Sequence, residues 1–193
     1  MKNKFKKLLA LLLIVFGSYS FTTVLNEKIN INVDKSNLHW KGFKVTGSHE
    51  GNLKFKSGTL TFTEDGKLVD GTFLIDMKSM GCTDLEGESK EKLDGHLKSK
   101  DFFGTNEHPS ATLQFKEITV SGKNSYRIKG DLTIKGITNS IEFDFSIYGK
   151  KATAALKIDR TKYDIKYGSS SFFDGLKDKA IYDDFDIKVD LEF

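Results

Sequence analysis

The side chains best suited to chemistry are four histidines, His39, His49, His96 and His108, and a single cysteine, Cys82. No two histidines stand at metal-ligand spacing and Cys82 has no neighbouring cysteine, so no metal site is expected; His96, which follows Gly95 beside an apolar helical stripe, is the best exception. No Gly-x-Ser-x-Gly elbow and no phosphate loop occurs. Carboxylates are many, and spacing alone leaves a pair for glycoside cleavage open. Most of them, however, fall on the polar phase of strands, where a solvated sheet face accounts for them. The lone thiol can form no intramolecular disulfide. It reads as a small, partly buried residue near a loop, with a reactive thiol or a bond between chains as the alternatives. No catalytic set and no cofactor is expected.

Aromatic residues say more, because the chain carries 16 phenylalanines in 193 residues. Phe62, Phe73, Phe115, Phe143 and Phe145 fall on the apolar phase of alternating segments. They either fill the interior of a β-structure or line a tunnel for an apolar chain, and alternation alone favours filling.

The elements that must carry these residues are strands, since period-two alternation dominates the chain. Phe185, Ile187, Val189, Leu191 and Phe193 alternate with Asp186, Lys188, Asp190 and Glu192. Similar runs lie at Val69–Met77, Ala111–Phe115, Tyr126–Ile134 and Ile141–Ile147, with weaker ones at Leu38–Thr46, Leu53–Phe55, Thr59–Thr63 and Ala152–Ile158. Val69 is assigned to the same apolar face as Phe73, Ile75 and Met77. After Phe115 the phase slips, with Ile118 and Val120 in the opposite register, which predicts a β-bulge. Turn residues at Asp65-Gly66, Gly122-Lys123-Asn124, Gly136 and Gly149 predict short antiparallel connections. The stretch from Asp84 to Phe103 breaks the pattern: Leu93 and Leu97 at i, i+4 among Lys and Glu predict one short amphipathic helix. The fold class is therefore all-β with one short inserted helix. About eight antiparallel strands point to a closed barrel, with a two-sheet sandwich as the alternative.

The N-terminus reads as an export signal. Lys2, Lys4, Lys6 and Lys7 precede an apolar run from Leu8 to Phe16, and Ser18 and Ser20 mark a cleavage site after Ser20. The apolar run is shorter than the ~20 residues of a membrane span, although an uncleaved anchor is the alternative because the uncharged stretch continues to Leu25. The expected divisions are a signal peptide over 1–20, a lead-in over 21–34 and a barrel over 35–193, in a periplasmic protein. Of the 30 basic residues four leave with the signal, so 26 face 27 acidic ones and the remainder carries −1. With only two arginines, Arg127 and Arg160, neither nucleic acid nor another phosphate-rich partner is expected.

Several ordered motifs carry a family resemblance: WKGFKVTGSHEGNLKFKSGTL from Trp40, LDGHLKSKDFFGTNEHPSATLQF from Leu93, YRIKGDLTIKGITNSIEF from Tyr126, and the C-terminal IDRTKYDIKYGSSSFFDGLKDKAIYDDFDIKVDLEF from Ile158. From about Lys35 to Phe193 the chain resembles the YceI-like family of bacterial exported proteins, in the spelling of its Bacteroidetes-type members. The resemblance implies an extended eight-stranded antiparallel lipocalin-like β-barrel with an elongated cavity for a polyprenyl or quinone-like tail. It implies a periplasmic carrier of an isoprenoid-type lipid and no enzyme activity. A filled, non-catalytic structural or stress-response barrel is the alternative reading, and a hydrolase acting on a lipid or sugar is a third. Trp40, Phe43, Phe102, Phe103, Phe172 and Phe173 join the five inward phenylalanines as ligand-binding candidates. Arg160, with Tyr163 and Asp164, is expected to fix the last strands. A transient membrane contact and a homodimer are partners compatible with this reading.

Overall fold

The computed structural model describes residues 26–193, so the expected signal peptide lies outside the described residues. Alternation becomes nine antiparallel strands: β1 (Glu27–Asn30), β2 (Asn37–Lys44), β3 (Gly47–Phe62), β4 (Leu68–Cys82), β5 (Ser110–Gly122), β6 (Ser125–Ile134), β7 (Ile137–Tyr148), β8 (Lys151–Asp159) and β9 (Ile181–Glu192). The helix α1 (Gly87–Lys98) lies between β4 and β5, within the expected segment.

Strands β2 to β9 form a closed ring in the order β3-β2-β9-β8-β7-β6-β5-β4, and the β3–β4 pairing completes it. The barrel thus has eight strands. Strand β3 is long enough to hold two partners in succession along one edge, β2 against Gly47–Leu53 and β1 against Thr59–Phe62. Residues Glu27–Asn30 are therefore built into the sheet, and Ile31 is buried beside them. Two weak sequence runs, Leu53–Phe55 and Thr59–Thr63, merge into β3, with a register shift between Phe55 and Ser57 where they meet.

Bulges bend these strands. The predicted phase slip is present between Phe115 and Glu117. Another irregularity, at Thr61/Phe62 opposite Asp70/Leu68, was not legible in the pattern. It turns Leu68 inward and leaves Val69 exposed, which corrects the expected inward position of Val69. Hairpins close as their residues require: in the β6–β7 turn Lys135 and Gly136 both have positive φ, 51° and 76°, the geometry of a two-residue turn matched to strand twist.

Two seams in the wall are closed by other elements. Strands β4 and β5 pair only between Thr72–Asp76 and Ser110–Gln114, and α1 packs on the unpaired end of β4. Strands β7 and β8 pair only at Asp144–Tyr148 with Lys151–Ala155. Beyond that point the 3-10 turn Arg160–Tyr163 fills the gap, burying Tyr163 and Ile165. The outer wall is wet, with exposed pairs such as Arg127–Asp144 and Lys157–Asp186, both at 3.1 Å. That surface is the reverse of the apolar belt of a membrane-spanning barrel. Among the described residues no helix is long and apolar enough to cross a membrane.

Closure brings β3 against β4 so tightly at Gly51 that an added Cβ would lie 2.0 Å from the Gly81 carbonyl oxygen and 2.8 Å from the Trp40 ring. Gly51→Ala is expected to cost about 3 kcal/mol, the upper part of the overpacking range. Gly42→Ala, where the new carbon meets nothing within 4 Å, is expected to stay within about 0.5 kcal/mol of wild type. Urea midpoints of the two variants check the contrast.

Candidate ligand-binding cavity

The interior of the barrel is hollow. A cavity of about 510 Å³ runs between the strands, within the ~300–1,000 Å³ range of small-molecule sites. Its wall is almost wholly apolar side chains from β2–β9 and α1. Strand β9 alone contributes lining from Ile181 to Leu191, ten residue steps, or about 33 Å of strand. The cavity is therefore long and narrow.

Most of the predicted aromatics meet there. Trp40, Phe43, Phe73, Phe102, Phe103, Phe115, Phe143 and Phe145 line the cavity. Phe73 and Phe115 lie 5.6 Å apart by ring centroids, and Phe115 stands edge-on to Phe143 and Phe145 at 5.8 and 5.5 Å. These contacts make a continuous aromatic wall across β4, β5 and β7. Three predicted residues do not belong to it. Phe62 is buried but stacks on Phe193 at 5.8 Å, away from the cavity lining. Phe172 and Phe173 are about half exposed, in the loop before β9. Their candidacy rests on the SFF motif alone, and a motif carries no information about side-chain direction in a loop. Residues that the sequence reading passed over include Phe55, Met77, Met80 and Leu97. Leu97 could have been chosen from its i, i+4 pairing with Leu93 on α1, since both line the cavity. The Met80 position depends on a β4 irregularity with no sequence signal.

One end of the cavity is a mouth. It is bordered by Lys44 and Thr46 of the β2–β3 turn, by Asp178 and Lys179, and by Tyr167 and Tyr182, of which the two tyrosines are exposed to solvent. His96 packs edge-on against Tyr167 at 4.4 Å and against Phe102 at 5.5 Å. Arg160 holds the mouth together. Its guanidinium is 2% exposed and donates to the carbonyl oxygens of Ile165 (2.8 Å), Tyr167 (2.9 Å), Ile181 (3.0 Å) and Tyr182 (3.0 Å). Asp183 lies 3.5 Å away and Phe102 lies under the cation at 5.5 Å. Burial opposes the Asp183 charge, but hydrogen bonds from Ser169 and Ser171 and the Arg160 cation hold this carboxyl below the usual carboxylate range. The donors of Arg160 are thus spent on the fold. Burial also pushes the Tyr163 hydroxyl up to about 12.

At the β3–β4 closure the structure assembles a group that spacing had not suggested. His49 Nδ1 lies 3.0 Å from Asp84 Oδ2, and the Cys82 thiol donates to Asp84 Oδ1 at 2.8 Å. Burial, then Asp84, pushes the Cys82 thiol up. Burial likewise opposes ionisation of Asp84, yet hydrogen bonds from Cys82, the Glu50 amide and His49 hold its carboxyl down at about 2. A carboxylate depressed on folding stabilises the native state fully above its ordinary value near 3.8, and that contribution disappears as pH falls through about 2. The stability gap between wild type and Asp84→Asn is expected to narrow from pH 5 to pH 2. Urea unfolding across that interval checks it, and a constant gap would contradict the assignment.

Comparison with known proteins follows this geometry. The sequence profile of the YceI-like domain matches residues 29–193. The barrel is similar to BcnA of Burkholderia cenocepacia, at 23% identity and TM-score 0.67, covering 83% of this chain and 98% of that one. It is also similar to a polyisoprenoid-binding domain from Saccharophagus degradans implicated in plant cell wall breakdown, at 14% identity and TM-score 0.57, covering 87% and 97%. At these identities the likeness shows the fold. The UPF0312 protein SAR2769 of Staphylococcus aureus (strain MRSA252) is 51% identical over 59 residues, 31% of this chain and 32% of that protein. The chain thus spans about a third of the length of the curated relatives it matches.

Proposed function

The chain belongs to the YceI-like domain family, and from that premise we propose that it is a periplasmic carrier of an isoprenoid-type lipid, a polyprenyl or quinone-like molecule, held in the barrel without turnover. The observation that carries this reading is the long apolar cavity, whose aromatic wall suits a branched hydrocarbon chain and offers few polar groups to a compact polar ligand. The polyisoprenoid-binding description of a similar barrel supports the same ligand class. A filled structural barrel is disfavoured by the same cavity. Burial of the tail drives binding, at about 0.8 kcal/mol for each methylene removed from water.

The mouth is also the face that meets a membrane in this reading. Phe172 and Phe173 are exposed on the loop that carries the mouth residue Tyr167, and Lys166 lies over the Phe172 ring at 5.1 Å. Aromatic rings with a lysine at the rim suit a headgroup layer. Phe172→Ser with Phe173→Ser is expected to slow lipid uptake from anionic vesicles about tenfold while leaving equilibrium affinity for detergent-dispersed lipid within twofold. Stopped-flow uptake of a fluorescent polyprenyl probe measures the first quantity and its titration the second.

Native mass spectrometry of protein taken from its own periplasm, followed by organic extraction, tests the ligand class. One polyprenyl or quinone species per chain is expected. Phe143→Asp, which places a charge in the aromatic wall, is expected to abolish uptake. Ala154→Phe, which fills the cavity from β8 without adding charge, is expected to weaken it at least tenfold. Unchanged lipid affinity in both folded variants, or a protein that neither carries nor takes up isoprenoid, would refute the carrier reading.

A further inference from the structure

We propose that His49, Cys82 and Asp84 form a binding site for a borderline-soft divalent cation, zinc(II) being the ion whose donor preferences the set matches. The three side chains present a nitrogen, a sulfur and a carboxylate oxygen, all within 4.8 Å of one another. Tetrahedral zinc accepts this mixture, with bonds of about 2.0–2.3 Å. An ion seated among them spreads the present 2.8 and 3.0 Å contacts by roughly an ångström or less.

The site is built by the barrel closure. Gly51 pairs with Cys82 across β3–β4, which sets His49, two residues along β3, beside the end of β4. Outer hydrogen bonds then hold the donors. The Cys82 amide donates to Asp94 Oδ1 at 2.7 Å and its carbonyl oxygen accepts from Lys90 Nζ at 2.6 Å. The Glu50 amide donates to Asp84 Oδ1 at 3.1 Å, and the Thr83 amide donates to the Glu50 carbonyl at 2.9 Å. Such partners fix ligand orientation. The neighbouring cations are paired elsewhere, Lys90 with Asp94 at 2.7 Å and Lys41 with Glu50 at 3.1 Å. His39 lies farther out, 4.0 Å from Glu50.

The arrangement argues against an activated thiol. A nucleophilic cysteine needs the imidazole between sulfur and carboxylate to take its proton. Here the carboxylate stands between the other two, and it holds the thiol proton in place. A cation changes this balance: the thiol proton leaves to water, the freed thiolate sulfur and an Asp84 oxygen bind the ion, and His49 binds as neutral imidazole. With both anions ligated, the site charge matches a divalent ion. His49 and Asp84 are partly exposed and Cys82 is buried, so the ion enters from solvent and settles on the sulfur. His49 is also among the cavity-lining residues, and the three protein donors leave the fourth position of a tetrahedral ion to water.

Cobalt(II) titration of reduced, chelator-stripped, lipid-free protein tests the site independently of any lipid. A thiolate-to-cobalt charge-transfer band saturating at one equivalent, and erased by zinc, is expected. Cys82→Ser is expected to remove the band, and His49→Ala and Asp84→Asn to weaken binding at least tenfold, with circular dichroism confirming that each is folded. Absence of the band in wild type would overturn the proposal. So would a band of unchanged strength and affinity in both folded His49→Ala and Asp84→Asn, because the thiol would then be acting alone.

Discussion

Closure of one sheet upon itself is the constraint on which the rest of this structure depends. Strand β3 pairs with β2 and β1 along one edge and with β4 along the other, so the eight-stranded ring has no edge strand. Closing eight strands creates an inside, and period-two alternation then sorts side chains between that inside and water. The two incompletely paired seams are the cost of bending the wall. Each is covered by a piece of chain with apolar residues to bury: α1 through Leu97, and the 3-10 turn through Tyr163.

The interior is hollow because of the shape of its residues. Phe115 of β5 stands edge-on to Phe143 and Phe145 of β7 and tilted against Phe73 of β4, while Ala111 and Ala154 bring little volume from their own strands. The result is an extended slot lined almost wholly by apolar side chains.

That mouth is held by a buried cation. Arg160 gathers four backbone carbonyls from two separate stretches, Ile165–Tyr167 and Ile181–Tyr182, and its planar donor fork suits that geometry better than a lysine would. The same loop carries Phe172 and Phe173 outward. One internal network therefore sets both the opening of the cavity and the surface beside it, which is why an apparently unrelated arginine belongs to the functional architecture.

Strand number, the helix, the bulge after Phe115 and the cavity-lining Phe73, Phe115, Phe143 and Phe145 were legible in the sequence, because burial on one face of an element writes itself as periodicity. The family resemblance suggested the proposed ligand class and the cavity-lining Trp40, Phe43, Phe102 and Phe103. Alternation failed where the backbone departs from regular pairing, since Val69 is turned outward by the irregularity at Leu68; Phe172 and Phe173, suggested by the resemblance, lie exposed in a loop outside the cavity lining. The meeting of His49 with Cys82 was invisible along the chain. They are 33 positions apart at no ligand spacing, and only the register Gly51↔Cys82 brings them together. The residues alone determined which side chains seek an interior. The tertiary structure decided whether that interior is full or hollow and which distant donors share a wall, because ring packing and strand register depend on how the sheet closes.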